Sequence, residues 1–335
     1  MAHVITAIAA IGIDLGYKDV YYACVNHEGK LIEEARVAMT PAAFRKAFSL
    51  FEPTRVAIEA SAQFRWAARV LQELGHDVIV ANPRQVQLIS ANQSKNDVND
   101  VPLLARLARV DPVLLSPLQH RKEQDQVTLV AVRARDQLVR TRTALMHSVR
   151  GMVKCFGCRL PRATSDCFLD RCRGAVPPAL LPQLERLLTI IEAVSRQIAD
   201  YDELIEATAR QKYPVVHGLR TIFGVGTLTA LSFVATLSDP YRFSRSRDVG
   251  AFLGLWPRQQ QSGGQNPQLH ITKAGDSYLR RLLVQSAHCV RRNQAPDTAL
   301  RRWGLRLWER AGPGRRSEPL SQWPERWPSC SISAG

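Results

Sequence analysis

Four carboxylates stand where a chain either avoids charge or spaces it regularly. Asp14 interrupts the apolar run "IGIDLGYKDVYYACV" (11–25), Glu59 closes "TRVAIEA" (54–60), and Asp97 and Asp100 lie three apart in "SKNDVNDVPLLARL" (94–107). A spacing of three puts the last two on one face of a helix. A carboxylate removed from water costs several kcal/mol unless it is neutralised or paired. Strand ends and a helix start can converge at one edge of a sheet, and a hard divalent cation is the natural neutraliser there. Mg2+ or Mn2+ suits such a set, because these ions keep some of their waters. Two ions about 3.5–4 Å apart can stabilise the attacking and leaving oxygens of a phosphodiester displacement. Taken singly, each acid also has a plainer role. Asp14 and Glu59 can cap a turn or a helix, and Asp97 and Asp100 can be acids favoured by a helix N-terminus. The four together, in this order, favour metal chemistry.

The elements that would position them can be read from pattern. Residues 4–25 read as one long strand bent near Gly16, and "LIEEARVAM" returns after the turn "HEGK" as an antiparallel partner. Thr40 and Pro41 open a helix as cap and first residue. A buried strand over 54–60 follows, then a helix over 61–75 with a Ser cap and a Gly stop, and a strand over 76–83. "PRQVQLISANQ" (83–93) reads as a short helix, "NDVNDVPLLARLARVDP" as loop then helix, and "PVLLSPL" (112–118) as a last strand. Hairpin strands followed by β-α-β-α alternation predict an α/β layer fold with a mixed sheet over 1–118.

Residues 119–211 change character. Leu129, Val132, Val139, Leu145, Val149 and Met152 recur at helical spacing, with Arg133, Arg135, Arg140, Arg142 and Arg150 among them. A second helical stretch covers 181–211. The pair predicts a helical hairpin, or a coiled coil that joins protomers. The arginines fit either a solvated face or a phosphate-facing stripe, with Arg133 and Arg140 as candidates. Residues 212–312 open with "GLRTIFGVGTLTALSFVATL". Its turn, Gly224 and Gly226 between two apolar helical runs, resembles a helix-hairpin-helix, which offers backbone N–H groups to a DNA phosphate. Downstream, "HITKAGDSYLRR" supplies Lys273, Arg280 and Arg281 as further phosphate contacts.

Composition narrows the partner. Lys and Arg outnumber Asp and Glu by 45 to 30 in 335 residues, a formal charge of +15. That excess points to a polyanion, with nucleic acid ahead of an acidic membrane surface. No apolar run approaches the roughly 20 residues of a membrane span. Seven irregularly spaced cysteines fit a reducing cytoplasm rather than a disulfide framework. The pair in "CFGC" lacks the compact second pair that a zinc site needs.

"GIDLG", "IEAS" and "KNDVND", followed by "LRTIFGVGTLTALSFVATL", "RFSRSRDVGAFLGLWPRQQQSGG" and "ITKAGDSYLRRLLVQSA", resemble the DEDD transposases of IS110-type insertion sequences, Piv/MooV-like recombinases included. The resemblance runs from about residue 8 to 310. It implies a RuvC-like, ribonuclease-H fold whose metal-binding acids match Asp14, Glu59, Asp97 and Asp100. It also implies a coiled-coil segment, then a small transposase domain with a serine nucleophile at Ser262 in "QQQSGG". Family members pair donor and target DNA through a structured non-coding bridge RNA and act as multimers, here a dimer or tetramer. The serine is chemically reasonable, because Gly263 and Gly264 let the backbone approach a phosphate; without the resemblance "QSGG" is simply a polar loop.

Three positions depart from the common pattern: Asn96 for Ser or Thr, Val101 for Ala, and Phe223 for Pro before Gly-x-Gly. None removes a proposed ligand. The tail, 313–335, departs more. "SEPLSQWPERWPSCSISAG" has no helical period where relatives continue as a basic, apolar helix, and is expected to be disordered. Read in the neighbouring frame from about Arg316, permitted codons restore such a helix. The hypothesis of a frame change fails if the gene carries a stop codon in that frame. Three alternatives stay open. One is a RuvC-like junction nuclease using water in place of Ser262; another is an inactive nucleic-acid-binding remnant. The third is a sugar-kinase or actin-like ATPase, which "GIDLG" also opens but which would need a second phosphate loop.

Overall fold

The computed structural model describes residues 7–61, 63–82, 97–118, 121–258 and 269–310, with backbone alone for Asp97, Val98, Asn99 and Arg310. It divides into two units, Met1–His120 and Arg121–Gly335.

The first unit is built on a five-stranded sheet: β1 (Ile8–Leu15), β2 (Asp19–Asn26), β3 (Leu31–Ala38), β4 (Arg55–Glu59) and β5 (Asp77–Ala81). The spatial order is β3-β2-β1-β4-β5. The first three strands form an antiparallel meander, while β4 runs parallel to β1 and β5 parallel to β4. This is the mixed α/β sheet that the hairpin-then-alternation pattern predicts, and it is consistent with a RuvC-like domain. Helices α1 (Pro41–Phe48), α2 (Phe64–Glu73) and α3 (Asp97–Val110) complete the described part of the unit. Helix α1 starts as its sequence dictates: Thr40 Oγ1 accepts from Ala43 N at 3.3 Å, with Pro41 in the first turn.

Three readings need correction. The long strand 4–25 is a hairpin, because Gly16 allows a tight turn in which a Cβ would lie 2.7 Å from the Asp19 carbonyl. Helix α2 starts at Phe64 rather than at Ser61, whose hydroxyl instead accepts from Gln63 N. The expected last strand is a turn of 3-10 helix, Pro112–Leu115, capped by the Asp111 carboxylate. Pro112 and Pro117 cannot donate to a ladder; this stretch meets β5 and the residue after it through Leu118 N to Val80 O and Asn82 N to Leu115 O. The helix expected over 83–93 and the tail 313–335 lie outside the described residues.

The sheet's two faces carry different side chains. On one, Ile11, Ile13, Tyr22, Val56 and Ile58 pack with Phe44, Phe48 and Leu71 from α1 and α2. On the other, small residues (Ala10, Ala57, Ala81) meet Leu104, Ala105 and Ala108 of α3. At Gly12 the approach is backbone to backbone. A Cβ there would collide with the Val101 carbonyl and lie 2.9 Å from Ala105 N.

The second unit is helical. Helices α4 (Glu123–Lys154) and α6 (Leu181–Lys212) are joined through α5 (Phe168–Arg173). They run antiparallel, since Arg135 binds Asp202 and, one heptad along, Arg142 reaches Ser195. Val149 and Leu188 continue the series in one buried cluster. The expected helical hairpin is therefore present. At its base buried Asp125 accepts from Tyr213 at 2.7 Å and Ser238 at 2.5 Å. Helices α7 (Val215–Arg220), α8 (Thr227–Leu237), α9 (Ser246–Phe252), α10 (Ser277–Arg291) and α11 (Ala299–Arg310) follow. Among the described residues no helix is long and apolar enough to cross a membrane.

Gly12→Val should lower stability by about 1–3 kcal/mol, the usual range for overpacking a tight core. Urea denaturation followed by circular dichroism measures it, and an unchanged midpoint would show that α3 does not rest on β1.

Candidate active site

Alternation along the strands decides where the acids fall. In β1, Ala10, Gly12 and Asp14 share the face toward α3; in β4, Ala57 and Glu59 do the same. The parallel register pairs Ile13 with Ile58. One residue further, Asp14 and Glu59 stand side by side at the ends of adjacent strands, about 4.8 Å apart in backbone spacing. Both are half-buried, and both make interactions in the structure.

Helix α3 runs opposite to β1. Its Val101 carbonyl lies over Gly12, while near its other end the Ala108 carbonyl accepts from Arg55 at the start of β4 at 3.4 Å. From Val101 back to Asp97 is about 6 Å along a helix axis, and from Gly12 on to Asp14 about 6.6 Å along a strand. Both steps lead to the same end of the sheet. The backbone thus brings Asp14, Glu59 and the first turn of α3, with Asp97 and Asp100, to one edge. Two arginines the sequence did not single out hold the helix in this position. Arg106 Nε donates to Gly29 O at 2.9 Å, and Arg109 donates to His27 O at 2.7 Å, both in the β2–β3 turn.

Asp100 is the most informative acid. One of its carboxylate oxygens is buried without a hydrogen-bond partner. An unsatisfied buried acceptor is costly, about 1–3 kcal/mol and more when charged. A divalent cation would satisfy it, so the hard-oxygen donor set present here fits such an ion. Among the described residues no group of three His, Cys, Asp or Glu side chains is already arranged around a metal position. Tyr21 pairs with Asp14 across β1 and β2. Its hydroxyl donates to Glu34 at 2.6 Å. Burial first, and then Glu34, push its pKa up to about 12, so it stays neutral beside the acids.

In the second unit, the Gly-x-Gly turn joins α7 and α8 as the sequence implies, but its two glycines differ. Gly224 has φ +85° and packs on α10, where a Cβ would lie 2.9 Å from Ser286 O; Gly226 faces open space. Ser262 and Gly263 lie outside the described residues. The segments on either side of them are paired, through Arg258 N to His270 O, Thr272 N to Trp256 O and Lys273 N to Gly254 O. Lys273 takes a left-handed φ of +55° there. Arg280 binds inward, to the carbonyls of Leu253 and Gly275. Arg133 pairs with Asp276, while Arg140 and Arg281 meet on Asp136. The structure therefore groups Arg140 with Arg281 and gives Arg280 a part in holding the fold.

Comparison with known proteins agrees across nearly the whole chain. A profile for DEDD transposases of IS110 type matches residues 11–156, and one described as Transposase IS116/IS110/IS902 family matches 216–301. The transposase for insertion sequence element IS1111A of Coxiella burnetii is 30% identical over 94% of this chain and 86% of its own length. A probable family 20 transposase of Pseudomonas aeruginosa is 31% identical over 90% of each chain. The transposase for insertion sequence element IS1328 of Yersinia enterocolitica is 31% identical over 84% of this chain and 83% of its own. The two profiles and the relatives together define a transposase, an enzyme that acts on DNA. The chain belongs to the IS110 family of insertion-sequence DEDD transposases.

Asp100→Asn should raise the melting temperature without divalent ions, since it takes charge off a buried oxygen that no hydrogen-bond donor reaches. It should also shrink the further rise that Mn2+ gives the wild-type protein. A lower melting temperature in the ion-free variant would mean that the carboxylate is satisfied structurally.

Proposed function

We propose that this transposase cuts and joins DNA strands by a metal-dependent phosphoryl transfer, with Asp14, Glu59, Asp97 and Asp100 holding the cations. The observation that carries the reading is the buried, unpartnered oxygen of Asp100, on the helix that crosses Gly12 two strand residues from Asp14. Divalent ions of Mg2+ or Mn2+ type, two in number, would supply charge neutralisation to the acids and to the phosphodiester oxygens. Ser262 supplies the attacking hydroxyl. Its Oγ bonds to phosphorus as the bond to the leaving sugar oxygen breaks, and its proton passes overall to that oxygen. The phosphoserine left behind conserves bond energy for rejoining. Gly263 lets the backbone come close to that phosphate. The Gly224–Gly226 turn acts as a helix-hairpin-helix, and Arg133, Arg140, Arg281 and Lys273 neutralise strand phosphates. Helices α4 and α6 pair protomers as a coiled coil in a dimer or tetramer, and a non-coding bridge RNA selects donor and target in the cytoplasm. The family likeness supports these last points.

The test purifies the chain with its co-expressed flanking non-coding element and supplies donor and target DNA in Mg2+. Denaturing gels then read cleavage, joining and covalent protein–DNA adduct. Asp14→Asn should reduce all three to background. Ser262→Ala should remove adduct and joining. Cleavage that persists in Ser262→Ala moves the reading to a water-using RuvC-like nuclease. A wild-type chain that binds DNA yet never cleaves would be an inactive remnant.

A further inference from the structure

The second unit contains a groove of about 720 Å3 between α4 and α10, floored by Gly224 and the first turn of α8. Its α4 wall runs from Arg135 to His147, about 18 Å of helix. The volume lies in the range of sites for small organic ligands, roughly 300–1,000 Å3. A groove of that size has room for a short piece of one strand.

Charge in the groove is unbalanced in a specific way. Arg140 from one wall and Arg281 from the other both bind Asp136, at 2.8 Å and 2.5 Å, each on its own carboxylate oxygen. The two guanidiniums are about half exposed, at 57% and 49%, whereas Asp136 is largely covered at 17%. Asp136 is the only acid among the described residues that line the groove. Arg135, the third arginine, is committed to Asp202 through two hydrogen bonds of 2.5 and 3.0 Å. Arg281 also lies over the Tyr278 ring at 4.9 Å, a cation–π contact that favours this position of its guanidinium. Two oriented forks therefore share one carboxylate, leaving a net positive charge and exposed donors. A guanidinium fork matches phosphate oxygens as well as it matches a carboxylate. The start of α8 has no capping side chain at Gly226, but the Glu206 carboxylate hydrogen-bonds Thr227 in its first turn, so the two arginines and not the helix end carry the charge of the groove.

We propose that this groove binds the phosphate backbone of a single nucleic-acid strand. Arg140 and Arg281 clamp a phosphate from opposite walls, and Asp136 is the internal anion that phosphate must displace. This rests on the nucleic-acid reading above and adds to it a place, a strandedness and a built-in competitor. Asp136 holds the two forks together in the free protein and opposes entry of the strand, so weak or short strands are rejected.

The experiment titrates full-length protein, without divalent ions, against fluorescein-labelled twelve-nucleotide single strands of DNA and of RNA, at several salt concentrations. Anisotropy reads the affinity. Arg140→Ala and Arg281→Ala should each weaken binding about tenfold and lower the salt slope by about one. Asp136→Asn should tighten binding several-fold, an effect that misfolding cannot produce. Arg302→Ala, at an exposed arginine of α11 paired with Asp297, should change nothing beyond twofold. The strand type whose affinity responds identifies the occupant as a DNA substrate strand or a guide RNA. Unchanged or weaker binding by Asp136→Asn, with Arg281→Ala like wild type, overturns the proposal. If wild type still binds and cleaves strands in Mg2+ while the groove variants bind normally, the groove assignment alone fails. If wild type binds neither strand, the broader reading fails with it.

Discussion

The arrangement of the first unit depends on one close contact, the packing of α3 onto the sheet at Gly12. Nothing larger than hydrogen fits between that strand position and the Val101 carbonyl. The alanines around it, Ala10, Ala57, Ala105 and Ala108, extend the same thin interface. A thin interface fixes distance as well as burial. Larger side chains at these positions would hold the helix further from the strands. The acids at the start of α3 would then stand too far above the strand ends to share anything with Asp14 and Glu59. Glycine and alanine lose apolar area on this face, and the aromatic cluster of Phe44, Phe48 and Tyr22 on the opposite face makes up for it.

Position along the helix axis is a separate problem, because a smooth alanine interface resists sliding poorly. The three arginine-to-carbonyl bonds address it. Arg55 reaches up to Ala108, and Arg106 and Arg109 reach across to Gly29 and His27. All act on the second half of α3, remote from the acids. The second half of the helix is thus held in register behind its acidic first turn. Two of these bonds are exposed and each is worth little alone, but acting together they favour one register over its neighbours.

The sequence made the acids legible because their chemistry is carried by residue type and their spacing by element period. Asp14 in an apolar strand and the Asp97–Asp100 pair needed no tertiary knowledge. Gly12 carried a readable signal that went unused: glycine inside a strand marks close approach of another backbone. Gly16 carried the opposite lesson. Its turn is set by the tightness around Asp19, and a run that reads as continuous strand hides it. The misassigned "PVLLSPL" shows where β-propensity yields to proline, which offers no donor to a ladder. Arg280 could not be read correctly from charge. Gly254 and Gly275 bring two backbone segments into contact, and the carbonyls left there recruit the nearest fork. Which arginines stay available for phosphate is therefore a property of the packing.

That distinction carries the argument into the second unit. A chain with an excess of fifteen positive charges must keep some guanidiniums paired in the free state, or their mutual repulsion opposes folding. Arg135 with Asp202 and Arg173 with Glu185 and Glu192 do this across secondary elements. The Arg140–Asp136–Arg281 arrangement differs in stoichiometry, since one carboxylate serves two forks. Arg135 is matched by one carboxylate and Arg173 is met by two, so neither has charge left to offer an anion. A mismatched trio holds its two cations in place and remains electrostatically unsatisfied. The same acid that stabilises the unbound fold thus sets the threshold a competing phosphate must exceed.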